Sequence, residues 1–155
     1  MMIPRLERIW LFIGTGMLAC FLLILLAQSL AQSAAPPSNL ATINPETVLV
    51  SGAFASPGVV KTGPHAYTIH IAALYPAFSP SDIQVPVGAV VKFEIASRDV
   101  VHGFEIVGTD VNTMVIPGYV SEISHTFSHK GVYLILCNEY CGSQHQLMFA
   151  HLTVV

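Results

Sequence analysis

From Ile9 to Ala27 the chain runs IWLFIGTGMLACFLLILLA, nineteen residues without a charge. As a helix rising 1.5 Å per residue, such a run nearly spans a hydrocarbon core about 30 Å thick. Arg5 and Arg8 precede it and no Lys or Arg follows until Lys61. The positive-inside bias therefore puts the N-terminus in the cytoplasm and everything after the helix outside. Trp10 stands at the inner boundary, where indole is favoured. A cleaved signal peptide is the competing reading, because small residues follow at Ala31, Ser33, Ala34 and Ala35. An apolar core of nineteen exceeds the roughly 7 to 15 residues of a leader, so a retained anchor is expected. Leu18-Ala19-Cys20 has the outline of a lipoprotein site, yet FLLILLA continues the apolar run directly after it. Cys20 reads as an inert thiol on the helix.

The rest of the chain has room for one domain. It is 155 residues long, 53% hydrophobic and only 10% charged, against about 25% charged in an ordinary soluble domain. That excludes a multi-pass transporter, a two-domain enzyme and a disordered chain. Six Lys and Arg are scattered and the net charge is −3, so nucleic acid is not expected as a partner.

Three segments follow from the pattern. Residues 1–31 form the membrane anchor, residues 32–66 a linker and surface loops, and residues 67–155 the folded domain. The linker is marked by QSAAPPSN, NPET, SGAFASPG and KTGPHA, rich in Pro, Gly and small residues. From Tyr67 a period of two sets in: Tyr67, Ile69 and Ile71 alternate with Thr68 and His70, and Val91, Phe93 and Ile95 alternate with Lys92 and Glu94. Further short strands are expected at 103–107, 111–116, 119–127, 131–136 and 149–155, separated by turn sequences such as Gly108-Thr109-Asp110 and Pro117-Gly118. Strands at that spacing imply a small all-β Greek-key sandwich or barrel.

Chemistry concentrates in one loop. Between Cys137 and Met148, twelve residues hold two thiols, an imidazole (His145) and a thioether. Soft sulfur combined with imidazole suits copper better than magnesium, calcium or manganese, and zinc would more naturally take four Cys or His without Met. Val101-His102-Gly103-Phe104 also follows a strand and turn, and a two-layer fold can bring His102 beside the Cys loop. His65, His70, His125, His129 and His151 have no sulfur near them in sequence and read as solvated or as satisfied by a backbone group. Two other readings of the loop stay open at this point. Cys137 and Cys141 could form a structural disulfide, and His, Cys, His and Met are also the ligands of a mononuclear blue copper site, although that site needs only one thiolate.

Cys137-x3-Cys141-x3-His145-x2-Met148, with Asp99-Val100-Val101-His102 upstream, resembles subunit II of haem-copper cytochrome c oxidases. The resemblance covers most of residues 67–155. It is strongest, in DVVHGFEIVGT and CNEYCGSQHQLMF, to the branch whose second subunit has a single membrane helix, similar to the ba-type oxidases. It implies a cupredoxin-like Greek-key sandwich behind one N-terminal transmembrane helix, holding the dinuclear CuA centre. Cys137 and Cys141 would bridge two copper ions, His102 and His145 would bind one each, and Met148 and the backbone carbonyl of Glu139 would be the weak axial ligands. Thiolates shared by two coppers let one electron spread over both metals, so bonds change little on oxidation and transfer is fast. With no ligand position open to water, the site relays electrons and performs no substrate chemistry. Leu136, Leu147 and Phe149 are expected to exclude water from it.

The same resemblance implies partners and a location. Electrons would come from a soluble cytochrome c or cupredoxin and leave for haem in subunit I, where oxygen is reduced, with small accessory subunits alongside. The chain would lie in the cell's inner membrane with its copper domain periplasmic, and His145 would mark the exit side. Glu7 is a proton-uptake candidate, its simpler role being an ion pair with Arg5 or Arg8. Many such subunits carry a tryptophan-rich stretch where the donor delivers its electron. Here that stretch is Ile71-Ala72-Ala73-Leu74-Tyr75-Pro76-Ala77-Phe78, which makes Tyr75 and Phe78 the candidates for electron uptake. A CuA subunit of a nitric oxide reductase, or a copper-delivery cupredoxin without an enzymatic partner, are the alternative functions.

Overall fold

The structure is a computed structural model, and it describes residues 4–32, 38–50 and 52–155. It divides into two compact units, Met1–Ala34 and Ala35–Val155. The first is a single helix, α1 (Arg5–Gln32), whose 28 residues give a length of about 42 Å. Its apolar side chains have no protein to pack on within the unit: Trp10, Phe12, Leu22 and Leu23 are all more than half exposed. A helix that is apolar on every side and bare of protein is suited to lipid. Glu7 lies in its first turn, exposed, and among the described residues it makes no ion pair with Arg5 or Arg8.

The second unit is a sandwich of two sheets. One contains β1 (Ser38–Thr42), β2 (Gly58–Lys61), β3 (Ala66–Leu74), β4 (Ala77–Ser79), β6 (Val90–Ser97) and β9 (Tyr119–Thr126), in the order β1-β9-β6-β3-β2 with β4 also on β3. The other contains β5 (Asp82–Val85), β7 (His102–Ile106), β8 (Asn112–Val115), β10 (Gly131–Leu136) and β11 (Phe149–Val154), in the order β5-β11-β10-β7-β8. β3 runs parallel to β6 and β5 parallel to β11, and the remaining pairs are antiparallel. The chain passes between the sheets after β4, β5, β6, β8 and β9. The all-β sandwich behind one apolar helix is thus as expected from the sequence.

The alternating residues do fill the space between the sheets. Ile69, Ile71, Val91, Phe93 and Ile95 are buried, and Phe93 and Phe127 meet edge-on near Phe104. The alternation fails at Ala72, Ala73, Ala96 and Ser97, where both faces are buried. The cause lies in the segment read as linker and loops. Two short 3-10 turns, Pro45–Thr47 and Gly52–Ala55, lay Val48 and Phe54 over the outer face, where they make a second small core with Ala72, Ala96 and Val120. This corrects the boundary at residue 67: β1 and β2 lie inside the linker segment and extend both edges of the first sheet. Edge strands of four or five residues are too short to carry a period, and three of the four residues of β2 are exposed.

Candidate metal centre

The twelve-residue loop that joins β10 to β11 is closed at its base by a hydrogen bond of 3.2 Å from Cys137 N–H to the carbonyl of Met148. Antiparallel pairing of β10 with β11, and of β10 with β7, brings the start of β7 beside this loop. His102 is the first residue of β7 and is fully buried. Its neighbour Gly103 explains how close the two segments come. A Cβ there would run into the Asn138 side-chain oxygen and meet the Glu139 and Asn138 backbone nitrogens at 2.8 and 2.9 Å. The Asn138 amide also donates to Glu105 (3.0 Å) and contacts the Asn112 side-chain oxygen (3.1 Å), pinning the loop to β7 and β8.

All the sequence-derived ligand candidates come together here. The Cys137 and Cys141 sulfurs are free and 3.8 Å apart, well beyond the roughly 2.05 Å of a disulfide. His102 Nδ1 lies 3.9 Å from the Cys137 sulfur and His145 Nδ1 lies 3.5 Å from the Cys141 sulfur. The Met148 sulfur is 3.6 Å from Cys141, and the Glu139 carbonyl oxygen is 3.2 Å from Cys137. His102, Cys137 and Cys141 offer donor atoms within 4.8 Å of one another. Two donors bound tetrahedrally to one ion at roughly 2.0–2.3 Å stand about 3.3–3.8 Å apart. The separations, 3.2–3.9 Å, lie within about 0.1 Å of that spacing, and the donor set is sulfur and imidazole with one carbonyl, so the residues fit a copper centre.

Electrostatics prepare the donors. His102 Nε2 is 2.8 Å from Asp99 Oδ1. The carboxylate only accepts, so Nε2 carries the proton and Nδ1 keeps its lone pair toward the sulfurs. Burial by itself pushes the Asp99 carboxyl up. The hydrogen bonds from His102 and from the Tyr75 and Val100 N–H groups outweigh it, and the carboxyl lies below its ordinary value. Burial first, and the Cys137 sulfur second, push the Cys141 thiol up to about 11. Without metal the loop therefore holds its proton at neutral pH, and a bound cation must displace it.

Several expectations are corrected. Phe78 is a core residue, 3% exposed and set edge-on against Phe104 at 5.7 Å, so it offers no surface to a donor; Tyr75 is half-buried beside the loop. Leu147 and Phe149 are 57% and 46% exposed, and Leu136 is partly buried. Two histidines lie beside carboxylates: His125 Nδ1 is hydrogen-bonded to Asp110 at 2.5 Å, and His70 Nδ1 is buried 3.2 Å from Glu94 without hydrogen-bond geometry. Asp99, Gly103 and Asn138 were assigned no role from sequence. Asp99 had a signal, standing three residues before His102.

Comparison with known proteins points to one family. Residues 77–155 match the family described as cytochrome C oxidase subunit II, periplasmic domain. The chain is similar to a cytochrome c oxidase subunit 2 of Thermus thermophilus, 42% identical over 153 residues, covering 96% of this chain and 90% of that one. It is similar also to a chain of a solved haem-copper terminal oxidase dimer, with 30% identity and a TM-score of 0.80, over 97% of this chain and 100% of that chain. The periplasmic domain of subunit II from Bradyrhizobium japonicum shares the sandwich at 22% identity and a TM-score of 0.53, over 57% of this chain and 83% of that one.

Proposed function

The chain belongs to the cytochrome c oxidase subunit II family, and from that premise we propose that its sandwich holds two copper ions as a CuA centre and relays single electrons from a soluble donor to haem in subunit I. One observation carries the reading: two unbonded sulfurs 3.8 Å apart, each with one imidazole nitrogen beside it. Cys137 and Cys141 would bridge the pair, His102 and His145 would each bind one ion, and Met148 and the Glu139 carbonyl would be the axial ligands. Held by both thiolates, such a pair would supply one-electron chemistry with little change in its bonds. The residues around it do the rest. Asp99 fixes the tautomer of His102, Gly103 lets the loop approach β7, and Asn138 holds it there. A second cysteine is what favours this centre over a mononuclear one, which needs a single thiolate.

The partner and its setting belong to the same proposal. A haem-bearing subunit I would lie on the His145 side, since that ring is only half-buried, and a cytochrome c or cupredoxin would deliver at the half-buried Tyr75 or where the exposed Leu147 and Phe149 flank the buried Met148. α1 would anchor the chain in the inner membrane with its N-terminus cytoplasmic and the sandwich periplasmic, and Glu7 would serve proton uptake. Glu7→Gln with unchanged oxygen turnover and proton translocation would remove that last role.

The relay is tested in the assembled oxidase by mixing it anaerobically with reduced donor in a stopped-flow instrument. Bleaching of the copper absorbance is expected before any haem is reduced, and His102→Ala is expected to abolish both phases. Haem reduction at the wild-type rate in His102→Ala would refute the relay.

A further inference from the structure

Tyr75 and Pro76 form the two-residue connection between β3 and β4, whose last pair is Leu74 with Ala77. From there Tyr75 touches both segments that carry a site histidine. Its backbone N–H donates to Asp99 Oδ2 at 2.7 Å, and the other oxygen of that carboxylate holds His102 Nε2. Its phenol oxygen accepts from the Gln144 N–H at 2.9 Å and shares a 2.9 Å hydrogen bond with Ser143 Oγ. Between these two ends the ring lies directly on Gly142. A Cβ there would collide with the ring, and the backbone has φ 146°, so glycine is required on both counts.

The turn under the phenol is the one that carries the remaining ligands. Gly142 O accepts from His145 N–H at 3.1 Å, Gln144 O from Leu147 N–H at 2.9 Å, and His145 O from Met148 N–H at 3.0 Å. Fixing Ser143 and Gln144 therefore fixes the start of the 3-10 turn from which His145 projects toward Cys141. β3 belongs to the sheet opposite to β10 and β11, so this one side chain ties the ligand loop to the other layer of the sandwich.

We propose that Tyr75 is a positioning residue that clamps the two histidine-bearing segments to each other, its backbone acting on His102 through Asp99 and its phenol on His145 through the 143–144 turn. For its effect on metal the clamp rests on the copper reading; for its effect on the loop it stands alone. The two ends separate chemically. Tyr75→Phe keeps the backbone bond to Asp99 and the ring on Gly142, and removes only the bonds to Ser143 and Gln144.

The test is made on the full chain in detergent, in two arms. Without metal, hydrogen exchange at the Gln144 amide is expected to rise roughly threefold to tenfold in Tyr75→Phe, the yield of one lost hydrogen bond, while the Val100 amide stays as it was. Ser143→Ala, which leaves the Gln144 bond in place, is expected to give about a twofold rise and serves if Tyr75→Phe does not fold. With copper added, the ring-proton resonances of His145 are expected to shift in Tyr75→Phe while those of His102 hold. Unchanged Gln144 exchange overturns the clamp, and so does an equal displacement of both histidines, which would mark general loosening. Failure of the wild-type chain to take up copper refutes the metal reading and leaves the exchange arm to decide the clamp.

Discussion

The two histidines of the site are held in opposite ways. His102 opens a sheet strand, is fully buried, and has its outer nitrogen fixed by Asp99 at 2.8 Å. His145 begins a 3-10 turn in a loop, is half-buried, and among the described residues has no carboxylate on its ring, which lies tilted to an exposed Tyr140 with centroids 6.0 Å apart. A strand-borne ligand with a charged partner is set before metal arrives, whereas a loop-borne ligand is set by its own turn and by what grips that turn. One site thus joins a rigid inner half to an outer half that faces its surroundings.

The largest expected difference between the halves is in folding. His102→Ala leaves a cavity and takes one of three hydrogen bonds from the Asp99 carboxylate, and is expected to cost the copper-free chain roughly 2–4 kcal/mol. His145→Ala is expected to cost less than about 1 kcal/mol, because its ring is part-solvated. Urea unfolding followed by circular dichroism measures both, and equal losses would break the comparison. Next comes metal affinity. Asp99→Ala is expected to weaken copper binding about 10–100-fold in chelator competition, as loss of an outer partner to a ligand histidine does. Tyr140→Ala, on the looser side, is expected to change it less than about threefold.

Acid and base act on different groups. The Cys141 thiol is raised in the fold, so its contribution to stability is whole below about pH 8.5 and lost as the pH climbs toward about 11. The copper-free chain is therefore expected to weaken across that interval and the copper-loaded chain to hold, as melting curves against pH would read. Asp99 is lowered, so its contribution is present above about pH 4 and lost on acidification below that. The smallest effect concerns the donor. Beyond residue 31 the chain has four basic and eight acidic side chains without a cluster, while Leu147, Phe149 and Tyr140 are exposed around the ligand loop. The bimolecular rate of electron uptake is expected to fall less than about threefold between low and physiological salt.

The inner and outer halves also differ in how far the sequence revealed them. Cys137, Cys141, His145 and Met148 are legible because one loop carries them all, His102 because a strand and turn precede it, and Glu139 only through the family resemblance. What holds them was less visible. Tyr75 acts on residues 68 and 69 positions away, and nothing local to a Leu-Tyr-Pro turn announces that. The pairs His70 with Glu94 and His125 with Asp110 depend on which strands become neighbours, as does the burial of Phe78. The long strands β3 and β6 declared themselves by alternation, but β4 and β5, of three and four residues, are too short to show a period. The role of the 45–55 segment as a cover for Ala72 and Ala96 has no sequence signature beyond the isolated Val48 and Phe54.

The copper pair is tested most directly by metal analysis and electron paramagnetic resonance on the full chain, loaded with copper while Cys137 and Cys141 are kept reduced. Two coppers per chain sharing one unpaired electron, with hyperfine splitting from both nuclei, are expected. One copper per chain with its signal confined to a single nucleus would contradict the CuA centre and leave a mononuclear cupredoxin in its place.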